Sequence, residues 1–184
     1  NASWMVIERL THELPAEPQI TTRRYPVDFT TLQERITADL ADDYDVALLL
    51  GQAPGRTAIE LEAIAVNIAL PHDQQPEQAQ SLVADGPVAY RSQLPLDQWA
   101  ASLRRQGFPA RLSFHAGTFL CNAALYHVHH CAKQMELRTK AAFIHVPLDP
   151  SQVAQQRTPE ASLPVEISTL AVRWMLGQLG SDVL

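Results

Sequence analysis

Tyr44-Asp45-Val46-Ala47-Leu48-Leu49-Leu50 runs straight into Gly51-Gln52-Ala53-Pro54-Gly55-Arg56. Five consecutive apolar residues, too few for a helix and bounded by a Gly/Pro turn, predict a strand covered by other elements on both faces. Such strands belong to α/β architectures. There, the loop at the strand's carboxyl end is where ligands bind. That loop has too few glycines for a phosphate cradle and lacks the Gly-Lys-Ser/Thr ending, so it reads as a rigid turn presenting backbone groups near a pocket.

Outward from this strand, helical and strand-like segments alternate. Trp4, Ile7, Leu10 and Leu14 recur at intervals of three and four, which predicts a helix over 3–14 capped by Ser3 and ended by Pro15 and Pro18. Residues 19–27 read as a strand. A second helix starts at Thr30 or Thr31, with Leu32, Ile36 and Leu40 on one face. Residues 58–70 hold no single period but read as β. Residues 71–87, rich in Pro, Gln and Asp, form a surface excursion. Helices follow over 96–106, 119–133 and 164–179, with strands over 110–115 and 141–146. This alternation predicts one α/β sandwich with helices on both faces of the sheet.

Composition narrows the function. The chain has 184 residues, 46% hydrophobic and 18% charged, with a net charge of −6. That suits one soluble globular domain and disfavours nucleic acid or an anionic membrane surface as partner, since both need a basic face. No apolar run approaches the ~20 residues of a spanning helix, and no basic-then-apolar leader is visible. Cys121 and Cys131 lie ten residues apart on one predicted helix. Their Cα atoms would be roughly 15 Å apart, too far for a disulfide, and two free thiols predict a reducing cytoplasm.

Three residues could carry chemistry. Cys121 stands at a helix start, where the helix dipole favours thiolate and free N–H groups could hold an oxyanion; a small buried hydrophobe is the other reading. His145 ends an apolar strand in Phe143-Ile144-His145-Val146-Pro147, where a neutral imidazole could take the thiol proton or simply bond to backbone. Glu62, with Glu60 two positions earlier, interrupts an apolar stretch. It could orient a histidine, or both carboxylates could face water on an edge strand. His127, His129, His130 and Cys131 offer metal-ligand types. Only His127 and Cys131 share a face at i,i+4, and no second ligand pair supports them, so a partly buried helix face is the better reading.

Several blocks occur in order along the chain. They are Gly51-Gln52-Ala53-x-Gly55-Arg56, x-x-Ile59-x-x-Glu62-x-x-Ala65-Val66-Asn67-Ile68, Ala116-Gly117-Thr118-Phe119-Leu120-Cys121-Asn122 and Phe143-Ile144-His145-Val146-Pro147. Together they resemble pyroglutamyl-peptidase I, the pyrrolidone-carboxylate peptidase family of cysteine exopeptidases. Asn1-Ala2-Ser3-Trp4 also resembles that family's Asn-Pro-Ser-Trp.

The resemblance implies a thiol peptidase that removes an N-terminal pyroglutamyl residue from peptides. Cys121 would be the nucleophile, His145 the general base and Glu62 its orienting carboxylate. Gln52 would face the lactam through its backbone, and Phe119 and Leu120 would line the apolar slot. The implied fold is a three-layer α/β/α sandwich around a central mixed, mostly parallel sheet, phosphorylase/hydrolase-like. The expected assembly is a homo-oligomer, tetramer or dimer, with no metal and no organic cofactor.

The sequence departs from the family pattern in places. The family carries a strand and a Thr-Gly-Phe-x-Pro-Phe-Gly-Gly-like loop ahead of its Asn-Pro-Ser-Trp, and the chain is expected to be a single domain, 1–184, lacking both. The family's usual Arg after the glutamate is Ala63, and no arginine occurs between Arg56 and Arg91. These departures support an alternative: a catalytically impaired relative acting as a binding or assembly module.

Overall fold

The computed structural model describes residues 1–14, 17–71, 73–154 and 156–179. Helix α1 (Ala2–Thr11) is capped by Asn1, whose side chain accepts from the N–H groups of Ser3 and Trp4, so the cap lies two residues before Ser3. Pro15 lies outside the described residues. Helix α2 (Phe29–Leu40) is capped by Asp28. Strand β1 (Val46–Gln52) follows, then β2 (Ile59–Glu62), β3 (Ile64–Val66) and β4 (Ala89–Arg91). Next come α3 (Leu96–Arg105), β5 (Ala110–Ser113), α4 (Leu120–Gln134), β6 (Lys140–Val146), α5 (Pro150–Val153) and α6 (Val165–Leu179).

The four-stranded sheet has the order β1-β6-β2-β5. β1 runs parallel to β6 and β2 parallel to β5, while β2 meets β6 antiparallel. The sheet is therefore mixed and mostly parallel, as expected. β3 and β4 form a separate antiparallel pair.

Period-two alternation on β6 and β2 sorts side chains onto the two faces. Ala142, Ile144 and Val146 of β6, with Ile59 and Leu61 of β2, join a core built from α1, α3 and α6, where Val6, Leu10, Leu103, Val172 and Met175 are buried. Ala141 and Phe143 face the other core, where α2 (Leu32, Ile36, Leu40) packs on α4 (Ala123, Leu125, Val128). Two apolar cores, one on each side of a single sheet, make the three-layer sandwich.

Two further local expectations fail, and one open alternative is decided. Residues 19–27 form no strand. β1 is only half-buried along most of its length, because among the described residues β6 is its only partner. An apolar run reports covered faces but not a covered edge. Conversely, β2 is internal and all four of its residues are buried, so Glu60 and Glu62 do not sit on a water-facing edge.

Candidate active site

The site forms where β1, β6 and β2 meet the start of α4. In the sheet, His145 lies opposite Gly51 on one side and Glu60 on the other. Because Gly51 has no side chain, α4 can come close. A Cβ there would stand 2.5 Å from the Phe143 ring and 3.0 Å from the Cys121 sulfur. Gly51 thus makes room for the thiol.

Cys121 occupies the first turn of α4, half-buried, and no side chain caps that helix start. Gly117 turns the incoming chain at φ +82°, a left-handed conformation that glycine adopts without a Cβ clash. Asn122, fully buried, locks the same turn in place. Its Oδ1 accepts from Val66 N–H at 2.8 Å, and its Nδ2 donates to the carbonyls of Val66 and Ile68. Sequence reasoning gave Asn122 no role; an amide side chain directly after the candidate cysteine is the available signal.

Glu62 Oε1 lies 2.8 Å from His145 Nδ1, and both side chains are buried. With the carboxylate ionised, Nδ1–H donates to it, leaving Nε2 for Cys121. Burial acts to lower the His145 pKa, but hydrogen bonds to Cys121 and Glu62 and their charges outweigh it and push the imidazole up to about 9. Burial likewise raises Glu62. Hydrogen bonds from His145 and Ser113, with the charges of His145 and Arg56, bring it below its ordinary value. The Glu62 carboxylate and the Cys121 sulfur both favour the charged form of the imidazole.

The other expected residues divide. Gln52 ends β1 beside the site, but its side chain is committed elsewhere. Oε1 accepts from Ala2 N–H at 2.7 Å and from Gln152 Nε2 at 2.8 Å, tying β1 to α1 and α5. Phe119 is half-buried and packs edge-on against Phe29, 5.3 Å between centroids. Leu120 turns into the α2–α4 core behind it.

The histidine-rich face of α4 behaves differently. His130 Nδ1 pairs with the Tyr90 hydroxyl at 2.9 Å, and Cys131 lies 3.2 Å from the Thr37 hydroxyl. Among the described residues, these side chains do not bring three ligand atoms together. Glu60, Glu62 and His145 each place one ligand-type atom within 4.8 Å of the others. Glu60, however, is engaged by Arg56 and Arg111, and Glu62 by His145, so the carboxylates are already charge-paired.

A family profile described as pyroglutamyl peptidase matches residues 1–177. A pyrrolidone-carboxylate peptidase of Pseudomonas fluorescens is 35% identical over 178 residues, covering 92% of this chain and 82% of its own. One from Staphylococcus aureus is 38% identical over 173 residues, 90% of this chain and 80% of its own.

The chain belongs to the pyroglutamyl peptidase family. Solved structures agree. The pyrrolidone carboxyl peptidase of Fervidobacterium islandicum AW-1 superposes with a TM-score of 0.90 at 29% identity, covering 97% of this chain and 90% of that one. A variant of the P. furiosus enzyme gives 0.91 at 28% identity, covering 100% and 92%. The expected fold and family hold, and the alternative of a non-catalytic binding or assembly module is not favoured. No described helix is long and apolar enough to cross a membrane.

Proposed function

We propose that this chain is a cysteine exopeptidase that hydrolyses the amide bond following an N-terminal pyroglutamyl residue. The observation that carries the proposal is the grouping of Glu62, His145 and Cys121, with a 2.8 Å carboxylate–imidazole bond and the Cys121 sulfur, at a helix start, close enough to raise the imidazole pKa. In this reading Cys121, as thiolate, attacks the pyroglutamyl carbonyl carbon. The carbonyl electrons move to oxygen, and the N–H groups of the uncapped α4 turn stabilise the oxyanion. The C–N bond then breaks as His145 delivers a proton to the leaving amine, which departs with the peptide. Water attacks the resulting thioester, His145 takes up its proton, and the C–S bond breaks to free pyroglutamate and thiolate.

Substrate contacts are assigned to the Gln52 backbone and to Phe119, backed by Leu120. The pyroglutamyl ring is small and neutral, with one lactam N–H and one C=O. An apolar slot with a few backbone partners suits it, and a side chain lacking the lactam would leave those partners unpaired. Two free thiols fit a reducing cytoplasm. A single domain acting as a homo-oligomer completes the reading, which sedimentation would check.

The test is fluorophore release from a pyroglutamyl amide. Release is expected, is blocked by iodoacetamide, and falls by about 10³-fold or more in Cys121→Ser, where the weaker oxygen nucleophile replaces sulfur. No release between pH 6 and 9, or undiminished release by Cys121→Ser, would overturn the proposal.

A further inference from the structure

Glu60 is 1% exposed, yet it carries a carboxylate into the sandwich. An unpaired charge there would be costly, and two arginines meet it. Arg111 of β5 binds Glu60 Oε1 through both Nε, at 2.7 Å, and a terminal nitrogen. Arg56, from the loop after β1, approaches Oε2 with Nε at 3.3 Å. Both arginine side chains are about half exposed, while the carboxylate they hold is not. Glu60 faces His145 directly across the β2–β6 ladder, and its carboxylate comes within 4.8 Å of both the imidazole and the Glu62 carboxylate.

We propose that Glu60, clamped by Arg56 and Arg111, is a positioning residue for the reaction, a second carboxylate that holds the His145 imidazole in its charged form and in place for Cys121. The inference rests on the peptidase reading above. The charged and titratable groups facing His145 are Glu60 and Glu62 from β2, Cys121 from α4, and, behind Glu60, Arg111 from β5 and Arg56 from the loop. Glu60 lies within 4.8 Å of the imidazole, whereas both arginine side chains are about half exposed and more strongly screened, so the charge on Glu60 is felt at the imidazole. The clamp also ties the loop after Gln52 to β2, fixing the backbone that would face the lactam.

Charge-balance variants test this. The measurements are the pH profile of kcat/KM for the pyroglutamyl amide from pH 6 to 10, and an NMR titration of the His145 ring in the same proteins. Glu60→Gln keeps the shape but leaves two arginines uncompensated. Its alkaline limb and the His145 midpoint are expected to fall by about one pH unit. Arg111→Gln removes a positive charge and moves both upward. The double variant E60Q/R111Q returns toward wild type. An unmoved midpoint in Glu60→Gln overturns the proposal, as does a loss of activity accompanied by lowered stability and an unshifted limb. Should Glu60→Gln fail to fold, Arg111→Gln decides alone, and a midpoint that does not rise overturns the proposal. A wild type inactive at every pH overturns the peptidase reading instead, and the NMR titration then still decides the role of Glu60.

Discussion

Two histidines buried to a similar degree, His145 at 6% exposed and His129 at 9%, end in opposite states. His145 is pushed up to about 9 and His129 down to about 4. Both lose hydration, which penalises the imidazolium. The difference lies in their partners. His145 has Glu62 at 2.8 Å and Cys121 on its other side. Among the described residues the Nε2 of His129 has no hydrogen-bond partner, and its ring stacks on Tyr90 at 5.8 Å between centroids. His127, two residues earlier on α4, is also down to about 4, and its Nδ1 finds no partner among the described residues. Burial alone makes a neutral histidine; burial with a carboxylate makes a cation available near neutral pH.

The largest effect should come from removing what distinguishes His145. Glu62→Gln leaves an amide in place of the carboxylate, so the imidazole loses its charge partner while the packing stays. Activity on a pyroglutamyl amide is expected to fall by about 10²–10³-fold. The alkaline limb, set near 9 in the wild type by the raised His145, is expected to move toward neutrality. The sign also fixes a stability term. A histidine raised in the folded state stabilises fully below its unfolded value of about 6.5, and that contribution fades as pH rises through about 9. Unfolding in urea at pH 7 and pH 9.5 should therefore show a smaller loss at high pH in Glu62→Gln than in wild type. Equal losses would break the comparison.

A middle-sized effect lies at the other pole. His127 and His129 are lowered, so the unfolded chain protonates first, and stability present above about pH 6.5 is lost as pH falls toward 4. Each histidine accounts for a loss of order 3 kcal/mol across that window. His129→Phe keeps a flat ring for Tyr90 and removes the unpartnered nitrogen. It is expected to leave stability at pH 7 unchanged or slightly improved, and to remove about half of the two histidines' combined loss. Chemical denaturation at pH 7 and pH 4.5 reads this directly. An acid loss unchanged from wild type would mean that this face does not titrate on unfolding.

How much of this contrast could be read in the sequence depends on range. The helices were legible because their apolar periods are local: Leu32, Ile36 and Leu40 announce a buried face with no outside information. Cys121, His145 and Glu62 were legible as residue types at plausible element ends, and the family pattern joined them. Residues 19–27 were misread because Pro18 and Pro26 border a mixed stretch that lies outside the sheet. β4 and α5, three and four residues long, carry too little pattern to announce themselves. The Glu60–Glu62 pair was ambiguous for a deeper reason. Ile59 and Leu61 alternating with two glutamates look the same on an edge strand and an internal one. What decides is Arg111, 51 positions away in sequence, and His145, later still. Nothing local marks a carboxylate whose compensating charges arrive from another strand.

The smallest effect separates hydrogen bonding from charge. His130 is buried like its neighbours, but its Nδ1 meets the Tyr90 hydroxyl at 2.9 Å, a neutral partner. Tyr90→Phe removes that hydroxyl and leaves the ring that packs on Tyr126 and His129. One neutral hydrogen bond is worth about 1 kcal/mol, to which leaving a buried ring nitrogen unpartnered adds about as much again. A stability loss of about 1–2 kcal/mol at pH 7 is therefore expected, with kcat/KM on the pyroglutamyl amide unchanged. The phenol and the Cys121–His145–Glu62 line share no bond. If Tyr90→Phe moved the pH profile of the reaction, the two histidine environments would be electrically coupled through α4, and the contrast between them would no longer be one of local partners.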